Sequence, residues 1–286
     1  MCSALTLRQR GRSGAFTLLE LLVVLAIILV LTALVVPAFT SIKSAGDVTN
    51  AAYTIKGVLE TARTYAKANH TYTWVGFFEE DVSQPSTNPA TAGTGRLVVS
   101  IVASRDGTSI YDPNATGTNN FIDPTRLIQV TKLVKIDNLH LPLFAAGTGT
   151  GDTFDARPIL QSDPFGVGYN ASRFGELNAS GPNTAPYDTT NSGKTKFPFW
   201  YPLSAASQAQ AQYSFRRTLQ FSPTGECRIN STYDMRRVVE VGLLQTHGNA
   251  TPVPIGGAGT STVSFSGNVA AVQITGVGSS VKIYRR

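Results

Sequence analysis

Few residues in this chain have the types and spacings that catalysis needs. The three histidines, His70, His140 and His247, stand far apart, and no His-Glu-x-x-His occurs. No Gly-x-Ser-x-Gly is present, so a serine nucleophile on a sharp strand-to-helix turn has no support. Gly193-Lys194-Thr195 has the ending of a phosphate-binding loop. Asp188 stands where that loop needs its first glycine, and no apolar strand precedes it. Gly-Thr-Gly-Thr-Gly at 147–151 lacks the flanking strand and helix of a dinucleotide site and reads as loop. Asp152, Asp155, Asp163 and Asp188 could offer oxygen ligands to a hard cation such as calcium, but a run of solvated loop carboxylates explains them better, and no metal is expected. The reading is of a chain with no catalytic residue and no cofactor.

The residue that asks for an explanation is Glu20. It opens an apolar run, and residues 21–42 carry no charge at all. At about 1.5 Å per residue those 22 residues span about 33 Å as a helix, the thickness of a bilayer core. A carboxylate costs about 2.5–3.5 kcal/mol at the centre of a membrane helix and less near its end. Arg8, Arg10 and Arg12 precede the run, and positive charge holds that end in the cytoplasm. The rest of the chain is then expected across the inner membrane. An ordinary secretory signal is the competing reading, with Val36-Pro37-Ala38 as its cleavage site and a soluble β-rich binding protein as its product.

The order Gly14-Ala15-Phe16-Thr17-Leu18-Leu19-Glu20, followed by Leu21-Leu22-Val23-Val24, closely resembles the cleavage and methylation motif of type IV prepilins and type II secretion pseudopilins. The resemblance implies cleavage between Ala15 and Phe16 by a prepilin peptidase and N-methylation of the new Phe16 amine. Ala15 replaces the usual glycine before the cut. Pro37 matches the place where many pilin helices carry a proline. The expected partners are the peptidase, the inner membrane and other pilin-like subunits packed through the same helix. In such packing a neighbour's Phe16 amine would lie beside Glu20, and opposite charges attract strongly in an apolar medium.

Those residues must be carried by particular elements. Val48, Ala52, Ile55, Leu59, Ala62 and Ala66 recur at helical spacing, while Lys43, Asp47, Lys56, Glu60, Arg63 and Lys67 fall mostly off that stripe. The spacing predicts one helix over about 16–69, bent at Pro37 or Gly46 if anywhere. Strands are expected at 71–78, 96–103, 127–136, 212–221, 237–244, 269–275 and 280–284, where β-branched and aromatic residues concentrate. Several alternate apolar with polar, as in an antiparallel sheet with one face on the helix. The turn-rich stretch 145–200 reads as ordered loops, with a short helix expected at 203–211.

The fold class is therefore α+β. The expected organisation is a basic leader over 1–15, a membrane and assembly helix over 16–42, an amphipathic continuation over 43–70, and a β-rich head over 71–286 with an insertion at about 104–211. Leu219-Gln220-Phe221-Ser222-Pro223-Thr224-Gly225, with the strands after it, is similar to the carboxy-terminal pattern of GspH/FimT-type minor pseudopilins. Residues from Ala62 to Glu80 are also similar to the pseudopilin-like proteins called Verru_Chthon cassette protein D. Asp163-Pro164-Phe165-Gly166 is similar to an element near the calcium site of major pseudopilins.

Composition narrows the classes further. The chain has 286 residues, 42% of them apolar and only 15% charged, with 26 glycines and 15 prolines, which excludes a coiled coil, a collagen and a mostly disordered chain. Net charge is +6, but without residues 1–15 it is 21 basic against 18 acidic residues, or +3. No basic patch remains for a nucleic acid. Loss of Cys2 with the leader leaves Cys227 alone, so the mature chain cannot close a disulfide.

Overall fold

The computed structural model describes residues 17–109, 121–142, 171–174, 198–228, 238–248, 250, 254–255, 264–265 and 268–285. The chain divides into two compact units, Met1–Lys43 and Ser44–Arg286, and helix α1 (Leu18–Ala68) contributes residues to each. Among the described side chains of the first unit, residues 17–33, the apolar ones are exposed: Leu18 is 82% exposed, Leu29 70% and Val30 61%. Among the described residues, no helix is long and apolar enough to cross a membrane.

In the second unit the helix lays down the stripe that its spacing predicts. Val48, Ala52, Ile55, Leu59, Ala62 and Ala66 are all fully buried, and Ala51 and Val58 widen the stripe. The small residues let the backbone approach the sheet, and the Thr73 hydroxyl donates to the Ala62 carbonyl at 3.0 Å. The helix ends where His70 takes a left-handed φ of 49° and the Thr71 N–H donates back to Ala66 O at 3.0 Å.

The strands are β1 (Thr73–Asp81), β2 (Gly95–Ser104), β3 (Leu127–Gln129), β4 (Val134–His140), β5 (Ala171–Phe174), β6 (Phe199–Tyr201), β7 (Tyr213–Phe215), β8 (Arg217–Phe221), β9 (Cys227–Arg228), β10 (Val238–Gln245), β11 (Pro254–Ile255), β12 (Ser264–Phe265), β13 (Val269–Thr275) and β14 (Val281–Arg285). The main sheet runs β14-β13-β10-β4-β2-β1-β8-β9, with β3 on β2 and β5 on β10. Its pairings are antiparallel except β5 with β10. The protein is α+β.

Over β1 and β2 the second face of the sheet is covered, while β4 and β14 keep exposed residues in the alternation read from sequence. Eight of the nine β1 residues and nine of the ten β2 residues are buried. One face meets α1 through Val75, Phe77, Leu97 and Val99. The other carries Trp74, Phe78, Val98 and Val102 beneath Phe199, Tyr213 and Phe215, which come from the separate β6–β7 pair. Gly76 makes room for that layer: a Cβ there would come within 2.6 Å of Phe215 Cβ and 2.7 Å of Phe199 Cζ.

Two expected strands are interrupted. The run 127–136 becomes β3 and β4 on the same edge of β2, because the Gln129 side chain plugs the break by donating to Ser100 Oγ, Ile101 O and Thr131 O. The run 212–221 divides at Arg216, where β7 leaves for β6 while β8 joins β1. The helix expected at 203–211 is only a single 3-10 turn, Gln208–Gln210, and its Ser207 cap makes no side-chain hydrogen bond.

Candidate functional site

The first described residues form a closed hydrogen-bonded unit. Thr17 caps α1: its Oγ1 accepts from the Glu20 N–H at 3.2 Å. In return Glu20 Oε2 accepts from the Thr17 N–H at 3.1 Å and from Thr17 Oγ1 at 3.2 Å. This is a reciprocal capping box, which satisfies two backbone donors that the helix start would otherwise leave open. The negative charge also sits at the positive end of the helix dipole. Both donors fall on Oε2, and Oε1 takes none among the described residues. Thr17-Leu18-Leu19-Glu20 ahead of an apolar run is the sequence signature of such a box.

Gly14, Ala15 and Phe16 lie outside the described residues. Pro37 falls within α1, and its side chain lies outside them. So do Asp152, Asp155, Asp163 and Asp188, together with the Gly193-Lys194-Thr195 and 147–151 loops. Among the described residues no group of three His, Cys, Asp or Glu side chains could hold a metal ion.

The histidines serve separate purposes. His70 ends α1, and His247 turns the chain into a short bridge with Ala250. His140 belongs to a cluster that sequence did not reveal. Glu79 is fully buried, and its Oε1 accepts from His140 Nδ1 and from the Leu141 N–H, each at 2.7 Å. Its Oε2 accepts from Arg217 Nη1 at 2.9 Å, and Arg217 is likewise fully buried. The cluster fastens β1 to the far end of β4 and to the start of β8. His140 is 61 residues from Glu79 and Arg217 is 138, so no local signal could have paired them.

Two further groups have perturbed protonation. Burial pushes the Cys227 thiol well above its ordinary value, which leaves it without thiolate reactivity. The Asp106 carboxyl is held far below the usual range, chiefly by the Thr108 hydroxyl and N–H and then by Ser104. The turn Ser222–Gly225 follows β8 as its sequence suggests: the Gly225 N–H donates to Ser222 O at 2.8 Å, with Gly225 at φ 89°.

Residues 10–36 match the family model of the prokaryotic N-terminal methylation motif, the signature of type IV pilin-like proteins. The match covers 27 of the 286 residues and none of the β-rich part; it supports a pilin-like subunit processed by prepilin peptidase. Comparison with curated proteins and with solved structures finds no match.

Proposed function

We propose that this protein is a minor pseudopilin or pilin-like subunit of a type II secretion or type IV pilus-like fibre. The observation that carries the reading is the methylation motif over 10–36 running directly into the first part of α1, where the apolar residues from Leu18 to Leu31 are exposed. Such a surface needs lipid or other apolar helices to cover it. Cleavage between Ala15 and Phe16 frees an amine one residue before the helix cap. The subunit then waits in the inner membrane with residues 44–286 on the periplasmic side. The three leader arginines support that orientation. The Ser222–Gly225 turn, followed by β10, β13 and β14, favours a minor subunit of the GspH/FimT kind.

Glu20 has the geometry for two tasks at once. Oε2 stays on Thr17 and holds the helix start, while Oε1 is open to a neighbouring subunit's Phe16 amine. The carboxylate therefore enters the membrane already half satisfied, which lowers its desolvation cost. Pairing with the amine on assembly would set the axial step between subunits.

Mass spectrometry of the protein from its native host tests the processing. The expected product spans residues 16–286 with one methyl group on Phe16. A chain that begins at Phe39 would identify an ordinary signal peptide and refute the fibre reading.

A further inference from the structure

The last two turns of α1 carry a pair of cations that the fold does not use. Arg63 and Lys67 lie one helical turn apart, and like charges at that spacing repel. Several cations of the head are matched: Lys56 pairs with Glu60, Arg96 with Glu80 and Asp137, Arg126 with Asp106, and Arg228 with Glu226, while Lys132 and Lys282 stand in solvent without a carboxylate among the described residues. Among the described residues Arg63 and Lys67 pair with no carboxylate. Arg63 Nε is shielded from solvent and has no hydrogen-bond partner among the described residues.

Three observations turn this into a site. Arg63, Thr64, Lys67 and Ala68 line an open cavity of about 460 Å³. Thr54 and Thr61 spend their hydroxyls on the carbonyls four residues back, at 2.7 Å each, whereas Thr64 makes no such bond among the described residues and keeps its donor. The Lys67 stem is also held in place. It lies against the turn after β8, where a Cβ on Gly225 would come within 3.1 Å of Lys67 Cδ. A guanidinium, a hydroxyl and an ammonium thus line one groove, each with donors to spare.

We infer that this groove is a docking site for a carboxylate-bearing segment of a protein partner. The guanidinium fork matches a carboxylate in bidentate fashion, and Lys67 adds a point charge beside it. The openness of the cavity selects the carrier. A free anion in an open groove stays hydrated and screened. A carboxylate borne by a docking protein brings the surface that excludes water, and the same charges then attract more strongly.

The test uses the full chain in detergent micelles and a fluorescein-labelled hexaglutamate peptide, followed by fluorescence anisotropy. Binding is expected at low salt and should weaken steeply as sodium chloride is added. The double variant Arg63→Gln, Lys67→Gln should bind at least about tenfold more weakly, the loss of one charge-assisted contact or more. Lys56→Gln, which removes a cation outside the groove, should bind as the parent does. Melting of the double variant should be unchanged or slightly higher, because a repulsion has been removed. Absence of peptide binding to the parent, or undiminished binding by the double variant, overturns the proposal. So does displacement of the peptide by an equimolar amount of inorganic phosphate, which would make this a free-anion site. Melting several degrees lower in the double variant overturns it too, since the cations would then serve the helix end.

Discussion

Glu20 caps α1, and the second role proposed for it, pairing with a neighbour's Phe16 amine, can be separated from the cap by substitution. Glu20→Gln keeps an oxygen at the end of a side chain of the same length, so it can still accept from Thr17, and Gln serves in a capping box nearly as well as Glu. It removes the charge. Thr17→Val does the reverse: the hydroxyl that accepts from Glu20 N–H is lost, while the carboxylate remains. Loss of a cap costs about 1 kcal/mol, or roughly fivefold in an equilibrium. Removing one side of a buried ion pair costs about 3–5 kcal/mol, more than a hundredfold. Glu20→Gln should therefore insert and be processed at least as well as the parent, yet nearly vanish from assembled material. Thr17→Val should be only modestly depleted there. The assay expresses each variant in the native host and compares processed protein in membranes with that in sheared fibre or secretion-complex fractions. If Glu20→Gln enters the assembly at the normal level while Thr17→Val does not, the carboxylate is a helix cap alone and the proposed pairing is wrong.

Two further predictions concern the head, residues 44–286. Glu79→Ala leaves Arg217 buried without this carboxylate and deprives the Leu141 N–H of its acceptor, so we expect a loss of about 3–5 kcal/mol and a melting point lower by roughly 6–20 °C. A shift of less than about 2 °C in differential scanning calorimetry would show that the cluster is not what joins β1, β4 and β8. Gly76→Val should cost about 1–3 kcal/mol, because its side chain must displace Phe215 and Phe199. A urea midpoint equal to that of the parent would mean that the aromatic layer does not pack on β1.

What the sequence made legible were features carried by neighbours along the chain. The α1 stripe from Val48 to Ala66 is legible because a helix returns a residue to the same face every three or four positions. β1, β2, β8, β10, β13 and β14 are legible because their β-branched and aromatic residues leave few alternatives. The covering of the second face was not, since Phe199, Tyr213 and Phe215 reach Trp74 and Phe78 from more than 120 residues away, Phe199 from the end of a turn-rich stretch and the other two from an expected strand whose packing partner no spacing names. The break between β3 and β4 was hidden for a related reason: it depends on Gln129 finding three acceptors that only the folded sheet assembles.

The candidate site follows the same division. Its motif is local, so the Phe16–Glu20 segment could be read directly, and even the cap on Thr17 was written in the sequence. The charges of the head behave otherwise. Glu79 falls one residue beyond the strand expected at 71–78, whereas β1 runs on to Asp81 and buries it, and the fold meets its carboxylate with His140, the Leu141 N–H and Arg217, which no spacing rule connects. Arg63 and Lys67 fall on the polar side of an amphipathic helix, where sequence makes them ordinary solvated charges, and the fold leaves them unmatched beside a cavity. A buried charge that is fully met is explained by stability. An unmatched pair costs stability through its repulsion, so stability cannot account for it. The first kind of charge fixes the head, and the second is where we propose that a partner's carboxylate docks.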